Sequence, residues 1–242
     1  EMQASLSDRQ QISLSYSRQQ AGLILYPYLS MDSDYDNADR AAVRYSARDL
    51  GSTVRAVRLE GYFTEVKHFM SDSQRSSAMM GAWMMASDAA THTAGGRVEA
   101  DFGRNFTGGV EAYDRLWSVA GFMKMSGMLT FNPSVPNVGT RTEGAFVNYH
   151  RDLTDRVRLT GGARFDHARM LVEDPRGSTD LYYQFQNTRR TSNNDNYASG
   201  NARLSVALSR GMETYAGVGS TGRLPDAEER YISRGMGTSV TV

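Results

Sequence analysis

Thirteen methionines and no cysteine stand among the 242 residues of this chain. A thioether is a soft, neutral ligand that selects Cu(I) over hard cations. The methionines cluster: Met79, Met80, Met84 and Met85 fall in one expected long loop, and Met123, Met125 and Met128 in the next. His68-Phe69-Met70 sets an imidazole two residues from a thioether. Neither donor must lose a proton to bind a metal at pH 7, because histidine titrates near ~6.5. Adaptable apolar packing is the other use of such methionines. The lack of cysteine removes thiol nucleophiles, thiolate-held zinc, iron–sulfur clusters and disulfides.

Other groupings fail on context. Asp32-x-Asp34-x-Asp36 with Asp39 has a calcium-loop spacing, but the sixth position is not glycine and Val43 replaces the glutamate at the twelfth. A solvated acidic loop is expected there. Gly217-x-Gly219-x-x-Gly222 continues a strand, with no helix expected after it, so it does not meet the nucleotide-binding context. His68, His92, His150 and His167 are scattered, and strand periodicity puts Asp166 and His167 on opposite faces. No catalytic residues, no enzyme activity and no resident cofactor are expected, the one bound species to consider being a copper ion. Lys plus Arg equals Asp plus Glu at 27 each, so nothing favours nucleic acid. Mean hydropathy is −0.51 and no apolar run approaches a spanning helix.

The elements that must position these residues are strands. In Arg97-Val98-Glu99-Ala100-Asp101-Phe102, charged and apolar residues alternate without exception. Val157, Leu159, Gly161, Ala163 and Phe165 oppose Arg158, Thr160 and Arg164 in the same way, and Val57, Leu59, Gly61 and Phe63 oppose Arg58, Glu60 and Tyr62. Continuing that alternation puts His68 and Met70 on the face of Arg58 and Glu60. Strands are expected near 10–22, 37–48, 53–70, 93–103, 105–118, 139–150, 155–171, 196–208 and 212–221. The connectors alternate between short, at 48–52, 104, 151–154 and 209–211, and long, at 23–36, 71–92, 119–138, 172–195 and from 222. In an antiparallel meander alternate connectors share an end, so this is the asymmetry of an outer-membrane barrel, with tight periplasmic turns and long extracellular loops. The expected fold is all-β: an antiparallel up-and-down transmembrane β-barrel segment, charged face inward and apolar face to lipid. Tyr26, Tyr28, Phe69, Trp117, Phe122, Tyr149 and Tyr197 sit near strand ends, where interfacial girdles belong.

Several stretches resemble TonB-dependent outer-membrane receptors. Leu204 leads through Tyr215-Ala216-Gly217-Val218-Gly219 into Gly222-Arg223-Leu224-Pro225-Asp226-Ala227-Glu228-Glu229-Arg230, similar to the Arg-x-Pro-x-x-x-Glu segment that opens an extracellular loop in that family. Leu25-Tyr26-Pro27, Gly95-Gly96-Arg97-Val98-Glu99 and Gly161-Gly162-Ala163-Arg164-Phe165-Asp166 resemble its barrel strands. The resemblance implies part of a barrel of roughly 22 strands, with residues 1–242 as wall and an N-terminal plug and TonB-contacting box not among them. Arg223, Pro225, Glu228 and Glu229 carry the family motif. The implied function is TonB-coupled import of a scarce nutrient across the bacterial outer membrane, with outer-membrane lipid, TonB and a metal or metal chelate as partners. Within the family, a copper-importing group has a His-x-Met on the wall that joins a Cys-x-x-x-Met of the plug, and His68 and Met70 match its wall half. A siderophore or other iron-chelate receptor is the alternative. From other classes, a passive barrel or a soluble β-sandwich binding module remains.

Overall fold

A computed structural model of the chain describes residues 1–78, 83–125, 128–209, 211–233, 235–236 and 239–240. Ten strands form one sheet: β1 (Met2–Ser7), β2 (Gln10–Ala21), β3 (Asp32–Arg48), β4 (Val54–Ser71), β5 (Met85–Phe102), β6 (Phe106–Met125), β7 (Met128–Asp152), β8 (Val157–Val172), β9 (Ser192–Ser209) and β10 (Met212–Ser220). Each pairs antiparallel with its successor, so the sheet is an up-and-down barrel segment without crossovers. Two helices, α1 (Thr179–Gln186) and α2 (Ala227–Tyr231), interrupt the long connectors, and β11 (Gly235–Met236) pairs with β12 (Ser239–Val240). A helix thus does follow the Gly217–Gly222 motif, contrary to expectation. The short turns use left-handed backbone where the chain must reverse within a few residues: φ is 55° at Gly103, 86° at Gly211 and 57° at Asp49.

The main sheet has one strand more than the sequence reading, because the six residues of β1 are too few to register a period. A larger difference lies at 119–138, expected as a long loop. There β6 and β7 continue as paired strands, with Val119 opposite Val135, Phe122 opposite Phe131 and Met125 opposite Met128. Register shifts at Trp117–Val119–Ala120 break the alternation, and Pro133 and Pro136 supply no N–H. The ladder survives what the pattern does not. The outer edge of this stretch is covered by loops: Ser233 N–H donates to the Ser134 carbonyl at 2.8 Å and Asp174 N–H to that of Pro136 at 3.1 Å.

Pairing aligns the faces from strand to strand. Leu59, Val98, Val110 and Ala145 lie in one cross-strand row, and Val147, Ala163 and Gly200 in another. Val98, Val110, Val147 and Phe165 are exposed, as side chains bound for lipid must be. On β6 the apolar belt runs from Phe106 to Ala112 and is bounded by Asp114, and the eight rises of ~3.3 Å from Phe106 to Asp114, tilted by ~40°, span about 20 Å of bilayer. Phe106 packs against Tyr149 at the short-turn end, ring centroids 4.8 Å apart, and Tyr35 stacks on Phe69 at 5.8 Å at the other, so each end of the belt carries an aromatic pair. Trp117 and Tyr197 do not join them: Trp117 shares the face of Glu111 and Arg115, and Tyr197 sits opposite Asp166. Val110, central in the belt and 56% exposed, tests the lipid face: Val110→Arg is expected to cost about 2–4 kcal/mol, read as a lowered midpoint in urea unfolding from lipid vesicles.

Candidate metal site on the inner wall

The inner face holds an almost continuous line of alternating charges. Arg58 donates to Glu99 at 2.7 Å and to Asp101 at 2.6 and 2.9 Å. Arg97 donates to Glu99 at 2.5 Å and lies 3.7 Å from Glu111, while Arg164 bridges Glu111 and Asp166. Arg58, Arg97 and Arg164 each reach a carboxylate on another strand, and charge-assisted hydrogen bonds of this kind pin rotamers as well as register. Phe146 lies beneath Arg97, its ring centroid 4.4 Å from the guanidinium carbon. A Cβ on Gly109 would stand 2.6 Å from that ring, so only glycine leaves Phe146 its place.

Above this line, β3 and β4 bring together what the sequence separated. His68 is directly opposite Asp36, and its Nδ1 lies 3.3 Å from Asp36 Oδ2. With the proton on Nδ1, the imidazole donates to that carboxylate and Nε2 keeps a free lone pair. Carboxylate backing of this kind orients metal-ligating histidines. Met70 shares the face, two residues nearer the rim. Met85 and Met123 are Cα partners on the inner face of β5 and β6, one step further toward the rim from Ser87, which pairs with Met70. Met84 precedes β5 and Met128 opens β7, 72% exposed at the tip of the hairpin. Met79 and Met80 lie outside the described residues, as does the side chain of Met125. Among the described residues no group of three or more His, Asp or Glu is placed to hold a metal ion. A metal held here therefore rests on imidazole and thioethers.

The connectors above His68 are held by buried carboxylates. Asp72 accepts from Met84 N–H at 2.7 Å, Met85 N–H at 3.0 Å and the Ser77 hydroxyl at 2.8 Å. Burial works against its charge, but these donors outweigh it and hold the carboxyl below the usual range. Asp32 accepts from Tyr26 N–H at 2.7 Å and pairs with Arg75, whose guanidinium also donates to the Tyr26 carbonyl at 2.7 Å. The expected solvated acidic run is thus partly structural: Asp32 is buried, Asp36 backs His68, and Asp39 accepts from the Tyr16 hydroxyl at 2.5 Å.

On β6 to β9 the long connectors fold onto the inner face. Val138, Met170 and Val172 from the wall meet Tyr182 of α1 and Ala227 and Tyr231 of α2 in the apolar cluster, with Trp117 packed against it. Tyr182 and Tyr231 stand edge to face at 5.4 Å. Asp226 caps α2 by accepting from Ala227 N–H at 2.6 Å, and Glu229 closes the box on Asp226 N–H at 2.6 Å. Asp226 also pairs with Arg115 of β6, and Arg230 sits 2.9 Å from Asp195 of β9. The Arg223–Glu229 pair of the motif is bidentate, at 2.5 and 2.7 Å. Pro225 precedes the cap and Glu228 lies in the first turn of α2.

A continuous inner charge line, an apolar outer belt and loops folded into the lumen describe a receptor wall, and the comparisons agree. Residues 3–241 match the model of the TonB-dependent receptor-like β-barrel family. The chain belongs to that family. Its place is the bacterial outer membrane. Among solved structures it is similar to the copper transporter OprC, with TM-score 0.74 and 21% identity over 98% of this chain and 39% of that one. It is also similar to the siderophore receptor PiuA from Acinetobacter baumannii, with TM-score 0.60 and 11% identity over 96% of this chain and 42% of that one. The chain spans about two fifths of the length of those structures. A comparison with curated protein sequences gave no match.

In the family's Arg-x-Pro segment, Arg223 and the Asp226 N–H hold Glu229 down to about 2, from an ordinary 4.5. A depressed carboxylate contributes stability above its unfolded value and loses it as pH falls through the folded one. Amide protection factors in 223–231, exchange rates taken relative to the intrinsic rate at each pH, are therefore expected to stay high at neutral pH and to fall below about 4.5, toward 2. Glu229→Gln should exchange fast already at neutral pH.

Proposed function

We propose that this wall belongs to a TonB-coupled importer of copper, taken up as Cu(I), with His68 and Met70 as the ligands the wall supplies. The observation that carries the reading is the inward-facing His68–Met70 pair backed by Asp36. Residues i and i+2 of a strand are separated by about 6.6 Å along the chain, so one ion shared between them calls for a further ligand from the lumen, where the plug of such a receptor sits. Met85 and Met123 flank the path between the rim and that pair. Their thioethers suit Cu(I) and discriminate against Ca²⁺ and Mg²⁺. The likeness to a copper transporter supports the same reading. TonB, through the plug, supplies the energy for release, and no bond-making chemistry falls to the wall.

A siderophore-type ligand is the second reading, and a different part of the structure favours it. Trp83, Phe122 and Phe131 cluster near the rim, with Lys124 at 3.7 Å over Trp83 and Arg176 at 4.3 Å over Phe131. Aromatic faces and cations suit a flat anionic chelate.

Copper loading of the intact receptor followed by elemental analysis separates the two. Bound copper is expected in the wild type and not in His68→Ala with Met70→Ala; equal copper in both would return the assignment to a chelate. Asp36→Ala should lower copper affinity by about 10–100-fold while leaving folding intact, as removal of a backing carboxylate does in other metal sites.

A further inference from the structure

Just beyond the apolar belt, the outer face changes to ionisable side chains, and nearly every basic side chain there has an acid beside it. Arg18 lies 3.8 Å from Asp39, Lys67 2.9 Å from Glu65 and His92 3.3 Å from Glu65. The exception is on β7 and β8, where Arg141 stands directly opposite Arg169. Like charges directly opposite on a sheet face repel. Arg141 is bonded to Glu143 at 2.9 Å, whereas Arg169 has no carboxylate within ion-pair distance among the described residues.

The two arginines line the β7–β8 end of a groove of about 420 Å³. Pairing explains its shape. One cross-strand row runs Phe63, Ala94, Asp114, Arg141, Arg169, and the next runs His92, Leu116, Gly139, Leu171. The small residues Ala94 and Gly139 leave the hollow between larger neighbours. Phe63 and Ala94 end the apolar belt of their strands, while Arg141 and Arg169 lie two outward positions beyond theirs, so the groove climbs from hydrocarbon to headgroup depth. Asp114 and Glu173 line its flank, and Glu173 accepts from Asn137 Nδ2 at 3.0 Å.

We propose that this groove binds a phosphorylated glycolipid of the outer leaflet. The phosphate sits between Arg141 and Arg169 and relieves their repulsion. Sugar hydroxyls donate to the Asp114 and Glu173 carboxylates, and an acyl chain lies over Phe63, Ala94 and Leu116. Each part of the ligand meets the chemistry it needs: guanidinium forks for phosphate, carboxylate acceptors for hydroxyls, and apolar floor for the chain. A purely anionic head would face two acids without a use for them, and a chain without phosphate would leave Arg169 uncompensated.

The test uses the intact receptor, delipidated in mild detergent and titrated with a diphosphorylated diglucosamine lipid, its dephosphorylated form or inorganic phosphate, with bound lipid counted by native mass spectrometry. Wild type is expected to retain the phosphorylated lipid and to bind it about tenfold more weakly for each arginine lost in Arg141→Gln and Arg169→Gln, since each removes a charge-assisted hydrogen bond. Ala94→Phe, which fills the groove and leaves the arginines in place, should weaken it as well. Lys67→Gln, on the same face but already paired, should change nothing. Equal retention of the phosphorylated and dephosphorylated lipids by the wild type overturns the proposal, and that comparison needs no variant to fold. So does displacement of the lipid by inorganic phosphate alone, or an equal loss in Lys67→Gln, which would mark general surface charge.

Discussion

In hydrocarbon a backbone N–H or C=O without a partner costs several kcal/mol, so every spanning strand must be bonded on both sides. The rest of this structure follows from that constraint. In this segment β2 to β9 are each bonded on both sides by their neighbours in sequence, β1 and β10 on one, and the antiparallel ladder then dictates that alternate side chains face lipid and lumen. Because pairing is in register across β4 to β9, apolar residues of different strands fall into one belt and charged residues into one inner wall. A slip of one residue in any pair would turn Arg58, Arg97 or Arg164 toward hydrocarbon, a cost large enough to make the register unique.

The inner wall converts the same register into specificity. Arg58, Arg97 and Arg164 each pair with a carboxylate of another strand, Arg164 reaching past β7 to Glu111 of β6, so the charge line can form only when several pairings are correct together. Pairs of this kind contribute modestly to stability one by one. Their greater effect is on which arrangement wins. Nearer the rim the constraint relaxes, since water can satisfy the backbone there, and the chain uses that freedom for a bulged hairpin, two helices and an apolar cluster packed against the inside of the wall. The candidate metal ligands sit at this transition, on strand rigid enough to hold His68 against Asp36 and open enough for a ligand to arrive.

Alternation made most of the architecture legible from the residues alone. Strand identity, the two faces and the grouping of short and long connectors at opposite rims all follow from period two, because a half-exposed strand has no other way to distribute its side chains. The placement of His68 and Met70 on the charged face came from that parity, and the Asp226-x-x-Glu229 spacing was a readable cap signature. Pattern failed where the membrane stopped enforcing it. Beyond the belt both faces of β3, β5, β6, β7 and β9 meet water or loops, so their outer thirds are strands without alternation, and 119–138 read as a loop although it is paired throughout most of its length.

Partnership across distant segments belonged to the tertiary structure. Asp36 lies 32 positions from His68, and Asp226 lies 111 from Arg115, separations at which the amino-acid order carries no record of contact. Tyr182, Tyr231 and Trp117 could have been girdle residues by type; folding put them in one buried cluster inside the wall. Arg141 and Arg169 are unremarkable in the sequence and become a like-charged pair only through the β7–β8 register. Residue type and parity determine which side of the wall a group is on. The ladder, summed over ten strands, determines which groups stand opposite one another, because hydrogen-bonded register fixes relative position along each strand to a single residue.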